Sequence, residues 1–256
     1  MPKFFIKQNQ IENNQINIVG NDVNHIKNVL RARVGEEIEI CNSDLQENYI
    51  CKIKTIEKEE INLEIIEKIS SISESNIKVT IFQGIPKADK MELIIQKSVE
   101  LGVYNITPVE MKRCVVKLQE KDKVKKVERW QKISEVAAKQ SGRDYIPKVN
   151  NCIKLKEVIE QLEEYDEILL AYENEKENTL KQEISQIKQK FSGKLKDEEL
   201  KIGIIIGPEG GIDGEEEKML RENGIRVITL GNRILRTETV ALNVLSIIMY
   251  ELEERS

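Results

Sequence analysis

Apolar and polar positions alternate in short runs from Phe4 to about Ile69, as in Glu37-Ile38-Glu39-Ile40 and Tyr49-Ile50-Cys51-Lys52-Ile53, with turn-forming Asn42-Ser43-Asp44 between them. A period of two predicts half-buried strands and a small β-rich domain. Its one helical stretch runs from His25 to Arg31 and sets Ile26, Val29 and Leu30 on one face. Ser70 to Asn76 is rich in residues that bond their own backbone and reads as a linker, so a boundary is expected near residue 73.

Beyond it, strands alternate with helices. Lys78 to Gln83 is strand-like, and Asp89 is placed to cap a helix carrying Met91, Leu93, Ile94, Ile95, Val99 and Leu101 until Gly102 stops it. Val103 to Ile106 is the next strand, and a helix from about Val127 to Ser141 sets Trp130, Ile133, Val136 and Ala137 on one side. Ile168 to Tyr172 and Ile202 to Ile206 are unbroken apolar runs, the pattern of strands buried on both faces in a parallel sheet. Between them Glu173 to Lys201 is charged, with Leu180, Ile184, Ile187 and Phe191 at helical spacing, the pattern of a solvated amphipathic helix plus loop.

Two loops stand out. Ile206 runs into Gly207-Pro208-Glu209-Gly210-Gly211, after which Asp213 and Glu216 have the spacing of a capping box. A second strand, Val227 to Leu230, ends in Gly231-Asn232-Arg233-Ile234-Leu235-Arg236, and Thr237 or Thr239 is placed to cap a last helix carrying Ala241, Leu242, Val244, Leu245, Ile248, Met249 and Leu252. Glycines permit close backbone approach, and ligands of open α/β sheets sit beyond the carboxyl ends of strands. Neither loop has the G-x-x-x-x-G-K-[ST] or G-x-G-x-x-G pattern, and Glu209 sets a negative charge where a phosphate would be repelled. A neutral or cationic ligand fits better. Structural ion pairing is the alternative reading of Arg233, Arg236 and Glu238.

Composition narrows the chemistry. His25 is the only histidine of 256 residues, which excludes mechanisms needing two, and the four cysteines have neither metal-ligand nor disulfide-framework spacing. No metal site is expected. A net charge of -5 argues against indiscriminate nucleic-acid coating, yet Lys112 to Lys148 holds 12 Lys/Arg against 5 Asp/Glu, while Glu157 to Glu217 holds 7 against 18. No apolar run approaches a membrane span and the start is no secretory signal, so a cytoplasmic protein is expected.

Gly207 to Ile212 together with Leu230 to Ala241 resembles the signature of the small-subunit ribosomal RNA uracil-N3 methyltransferase family, of the SPOUT class. The likeness extends through Gln83 to Glu92, Gln96 to Gly102, Glu128 to Ile133, Ala137 to Arg143 and the N-terminal Met1 to Phe5 and His25 to Arg33. At Ile212-Asp213-Gly214 the chain departs from the family's aromatic-then-Ser pattern, where Asp213 caps as Ser would. The resemblance implies an N-terminal PUA-like β-barrel that binds RNA (1–72) and a C-terminal SPOUT α/β domain (73–256) with a mainly parallel sheet and a trefoil knot. It implies a homodimer, S-adenosylmethionine as methyl donor, and N3 of a specific uridine in 16S ribosomal RNA, free or in the small ribosomal subunit, as target.

Under that resemblance the donor pocket falls on Leu170, Glu173, Ile206, Gly207, Pro208, Gly210, Leu230, Gly231, Ile234, Leu235, Thr237 and Ala241. Glu238 is the candidate proton acceptor and Arg236 the candidate for stabilising charge on the base's carbonyl oxygens. Arg31, Arg33, Lys87, Lys90, Lys112, Arg113, Lys139 and Arg143 are the candidate RNA phosphate contacts. A SPOUT enzyme with another target, a non-catalytic RNA-binding assembly factor and, least favoured, a nucleotide hydrolase are the alternatives.

Overall fold

A computed structural model describes residues 3–45, 47–70, 73–194 and 198–253. The chain divides into two units, one of residues 1–74 with 138–146, the other of residues 75–137 with 147–256.

The first unit is a six-stranded sheet of β1 (Lys3–Ile6), β2 (Ile11–Glu12), β3 (Gln15–Val19), β4 (Glu37–Asn42), β5 (Glu47–Ile56) and β6 (Glu60–Ile69), ordered β1-β4-β5-β6-β3-β2. Every pairing is antiparallel except β1 with β4. Alternation works as the sequence requires: in β3 Ile16 and Ile18 are buried while their neighbours are exposed. The long β5–β6 ladder slips register at Ile50/Cys51 and again at Ile53/Thr55. Such irregularities raise local twist and curl the sheet around Phe4, Ile38, Ile40, Ile53, Ile61 and Leu63.

A short helix α1 (Asn21–Asn24) continues into a wider π-helical turn over His25–Val29, closed by Leu30 N–H donating to the His25 carbonyl at 2.9 Å. That winding corrects the expected helical face. Ile26 is fully buried, whereas the extra residue in the turn swings Val29 out to 65% exposure. His25 stacks edge-on against Phe4 with ring centroids 5.5 Å apart. Of the 70–76 linker, residues 71 and 72 lie outside the described residues.

The second unit holds β7 (Ile77–Gly84), β8 (Asn105–Glu110), β9 (Lys148–Val149), β10 (Ile153–Lys154), β11 (Glu167–Ala171), β12 (Leu200–Ile206) and β13 (Arg226–Ile228). The order is β10-β8-β7-β12-β11-β13, with β9 also on β8, and every pairing is parallel. Six of the seven β12 residues are buried, as unbroken apolar runs demand in a sheet covered on both faces. The helices are α2 (Lys90–Glu100), α3 (Glu120–Ser141), α4 (Leu155–Ile159), α5 (Leu180–Lys190), α6 (Gly214–Glu222) and α7 (Thr237–Leu252).

Several helix expectations change on contact with tertiary structure. Asp89 stands at the N-cap of α2 but its side chain caps nothing, and its carbonyl takes the N–H groups of Glu92 and Leu93 instead. α3 starts seven residues earlier than periodicity indicated, and its inner face is Trp130, Ser134, Ala137 and Ala138 while Val136 is 68% exposed. Ser134 fits because its hydroxyl donates to the Pro147 carbonyl at 2.6 Å. In the charged segment α5 is amphipathic, burying Leu180, Ile184 and Ile187 behind a Thr179–Gln182 capping box.

Candidate functional site

The first loop leaves β12 at its carboxyl end. Gly211 N–H donates to the Pro208 carbonyl at 2.9 Å, closing a tight turn, and Gly211 takes φ +69°, which suits glycine. A methyl group on Gly84, at the end of β7, would stand 2.7 Å from Pro208 Cδ and N, so glycine there is what lets this loop lie against the sheet. Asp213 caps α6 through the Glu215 N–H, as its position required. Glu216 does not complete the capping box. Its Oε1 accepts from the Lys112 backbone N–H at 2.8 Å, which fixes the chain after β8 to the first turn of α6.

The second loop leaves β13. The two strands are not neighbours, because β11 lies between them. Three carboxyl ends therefore share one mouth, and the exit of β11 becomes the third wall. The resulting cavity of about 680 Å³ is lined by Ile206 to Gly211, Thr229 to Thr237, Val240, Lys90 and Ala171, Tyr172, Glu173, Glu175 and Lys176. Its size lies in the usual range for a small-molecule site, roughly 300–1,000 Å³.

Of the expected donor-site residues, Glu173, Ile206, Gly207, Pro208, Gly210, Leu230, Gly231, Ile234, Leu235 and Thr237 line this cavity. Leu170 and Ala241 do not. Leu170 is fully buried in β11 within the core cluster, and Ala241 is fully buried on α7. Tyr172, Glu175, Lys176 and Arg233 line it without having been singled out as donor contacts. The rule that places ligands at strand ends, applied to the apolar run Ile168 to Tyr172, would have found the first three.

Thr237 is not a cap. Arg236 occupies the N-cap of α7 without a side-chain bond, while Thr237, in the first turn, accepts from Gln83 Nε2 at 2.8 Å and donates to the Gly207 carbonyl at 2.7 Å. Gln83 and Thr237 are both buried. Gln83–Thr237–Gly207 is thus a neutral strap joining β7, the second loop's helix and the first loop.

Charges complete the site. Glu209 accepts the Lys87 backbone N–H at 3.0 and 3.2 Å and pairs with Lys90 Nζ at 3.0 Å. Partial burial opposes its ionisation, but its own N–H, Lys90 and the Lys87 N–H together hold its pKa below the ordinary value. The bare negative charge expected at this position is therefore neutralised locally. Glu238 is not among the lining residues. Its side chain is 14% exposed and stands 3.4 Å from Lys90 Nζ. Arg233 and Arg236 line the cavity, are exposed, and enter no ion pair among the described residues, so structural pairing with Glu238 is not what holds them. Glu175 is held near a pKa of about 2, first by Arg221 and then by the N–H groups that cap it, against the opposing effect of burial.

The cations expected to meet phosphate are mostly engaged elsewhere. Arg143 is 5% exposed and bound to Glu74, so its guanidinium is closed to a phosphate. Lys139 pairs with Asp22, Lys112 with Asp213 and Glu215, and Arg113 donates to the Gly210 carbonyl at 3.2 Å. Arg31, Arg33 and Lys87 are exposed and enter no ion pair among the described residues. No cluster of three or more potential metal ligands occurs among the described residues.

Known proteins agree with this layout. The RNA methyltransferase domain family matches residues 73–249 and the RNA methyltransferase PUA domain family residues 18–66. The ribosomal RNA small subunit methyltransferase E of Bacillus subtilis is 38% identical over 99% of this chain and 98% of its own, and that of Mesomycoplasma hyopneumoniae 35% over 96% and 98%. A crystal structure of the Neisseria gonorrhoeae ribosomal RNA small subunit methyltransferase E bound to S-adenosyl methionine superposes with TM-score 0.80 at 31% identity, covering 98% of this chain and 97% of that one. With its N-terminal curled sheet, its C-terminal parallel sheet and the cavity at three strand ends, the chain belongs to the ribosomal RNA small subunit methyltransferase E family.

Proposed function

We propose that this protein transfers a methyl group from S-adenosylmethionine to N3 of a specific uridine in the 16S RNA of the small ribosomal subunit. The observation that carries the reading is the cavity itself, built from both glycine-containing loops that match the family. Its residues fit the donor. Ile206, Pro208, Leu230, Leu235 and Val240 supply apolar walls, and the loop backbones supply donors and acceptors between them. Glu173 lines the cavity with no ion pair among the described residues, leaving one carboxylate for a cationic ligand. When bound, the donor supplies an electrophilic methyl on a sulfonium and leaves as a thioether.

The protein's share is to present the uridine imide in line and to take its proton. Glu238, two residues beyond the second loop in the first turn of α7, accepts the N3 proton, while exposed Arg236 offsets charge on the flanking carbonyl oxygens. Loss of either group should lower turnover by about a hundredfold or more. Glu238→Gln and Arg236→Ala with unchanged turnover would remove these roles. Whole function is read by mass spectrometry of nucleosides from small-subunit RNA: 3-methyluridine appears with the protein and is absent without it, and any other modified nucleoside assigns another target.

Finer features belong to the same reading. The N-terminal sheet closes as a PUA-like RNA-binding barrel, residues 73–256 form a SPOUT domain with a trefoil knot, and two copies associate in the cytoplasm. In such an association Tyr250, 74% exposed on α7, is a large side chain available for burial. Arg31, Arg33 and Lys87 are the cations best placed for RNA phosphates.

A further inference from the structure

Lys90 opens α2, and its ammonium lies between two carboxylates from different loops: 3.0 Å from Glu209 Oε1 in the first, 3.4 Å from Glu238 Oε2 at the start of α7. The Glu209 end is anchored, because the Lys87 backbone N–H also holds that carboxylate. The Glu238 end is not. Its Oε2 is buried without a hydrogen-bond partner among the described residues, so the charge it faces is that of Lys90. A buried carboxylate oxygen lacking both bond and counter-charge is costly, and Lys90 is what makes the placement tolerable. Glu209 first, then Glu238, raise the Lys90 pKa against the opposing effect of desolvation and keep it cationic.

We propose that Lys90 is a positioning residue of the methyl-transfer reaction: anchored on Glu209, it holds the Glu238 carboxylate at the edge of the donor cavity. The inference rests on the reading of Glu238 as proton acceptor. It replaces the expectation that Lys90 meets RNA phosphate. The Gln83–Thr237–Gly207 strap joins the same two loops without Lys90, so the loops stay joined when Lys90, itself one of the lining residues, is replaced. Loss of positioning then shows in kcat, while the donor KM reports the loop walls that the strap keeps joined.

The test is steady-state kinetics on unmethylated small-subunit particles with Lys90→Met, Lys90→Arg, Glu209→Gln, Glu238→Gln and the Lys90→Met/Glu238→Gln double variant, with thermal melts to establish folding. Lys90→Met should lower kcat about tenfold to a hundredfold, the scale of a misplaced group, with the donor KM changed less than about threefold. Lys90→Arg should restore most of the turnover, and Glu209→Gln, which frees the anchor, should show a smaller loss of the same kind. In the Glu238→Gln background the Lys90 substitution should add nothing, because one group acts through the other. Independent, multiplying losses would overturn the proposal. So would an unchanged kcat with a raised RNA KM and a shallower salt dependence, the signature of a phosphate contact. If Lys90→Met folds poorly, Lys90→Arg and Glu209→Gln carry the same comparison, and full turnover in Glu209→Gln counts against the proposal. Full activity of Glu238→Gln would remove Glu238's role and this inference together, while methylation by the unaltered protein would still stand; a normal Lys90→Met beside an impaired Glu238→Gln sinks the Lys90 role alone.

Discussion

Replacing Gly84 by alanine adds a single methyl group behind Pro208, one of the residues lining the cavity at the three strand ends, and the structure says where the strain goes. The new carbon would stand 2.7 Å from both Cδ and N of Pro208 and 3.0 Å from the Gly207 carbonyl carbon. Carbon contacts settle near 3.5–4.0 Å, so about 1 Å of movement is needed. Ring and backbone atoms cannot swing aside as a flexible side-chain tip would. On the Gly84 side the chain is fixed by β7 pairing with β12 and β8 and by Gln83 Nε2 bonding the Gly84 carbonyl. The first loop must therefore yield, at an overpacking cost of about 1–3 kcal/mol. If that cost is spent on restoring the loop when donor binds, affinity for S-adenosylmethionine falls roughly 5- to 150-fold at about 1.4 kcal/mol per decade. Isothermal titration calorimetry with the donor measures it, beside a melting curve. Gly214→Ala is the control, since a Cβ there meets nothing within 4 Å and its φ is ordinary. Gly84→Ala with donor affinity and melting temperature equal to wild type would refute the close packing of β7 against the first loop.

Thr237→Val keeps the shape but breaks the buried strap, leaving Gln83 Nε2 and the Gly207 carbonyl one bond short; about 1–3 kcal/mol of stability should be lost, with donor binding weakened, both read from donor-dependent melts. Burial pushes the Cys41 and Cys51 thiols up to about 12 and Cys152 to about 11, and raises Cys114 as well, so a thiol reagent at neutral pH should label the native protein far more slowly than the denatured one. Glu175 has its pKa depressed from 4.5 to about 2, so its contribution to stability is complete above the ordinary carboxylate range and is lost as pH falls through about 2. The melting difference between wild type and Glu175→Gln should shrink across that window, and a constant difference would dismiss the Arg221 pairing as a source of stability.

What the sequence made legible was what local pattern encodes. The runs at Ile168 and Ile202 announce strands buried on both faces because every residue in them is apolar, and they pair in parallel, in register. Strand order is not encoded locally, so the insertion of β11 between the two loop strands, and with it the cavity wall at Tyr172 to Lys176, had to come from the fold. Capping propensity misdirected two threonine and glutamate assignments for one reason. Thr237 and Glu216 had long-range groups to satisfy, the Gly207 carbonyl and the Lys112 N–H, and a partly buried backbone group left unpaired outweighs a terminal cap. Val29 was misplaced because an α-helical period was applied to a π turn. Cations were legible in sign but not in burial or commitment, since nothing near Arg143 in sequence announces Glu74.

The same distinction revises the electrostatic case for a cationic ligand. In the sequence it rested on Glu209, whose charge is spent on Lys90 and the Lys87 N–H. The carboxylate that remains is Glu173, on the wall supplied by β11, which no loop motif contains. Opposite in sign, Arg233, Arg236 and Lys176 line the same cavity without ion pairs among the described residues. A carboxylate in such a mouth attracts a sulfonium only at short range, because charges beyond about 10 Å are screened at moderate salt, whereas three exposed cations add to the attraction for an incoming polyanion. Glu173→Gln should therefore weaken donor binding by a modest factor that salt barely alters, while Arg233→Ala should weaken RNA binding by a factor that disappears as salt rises. If the salt dependence of these two effects were exchanged, the assignment of the cavity's acid to the donor and its cations to the RNA would be wrong.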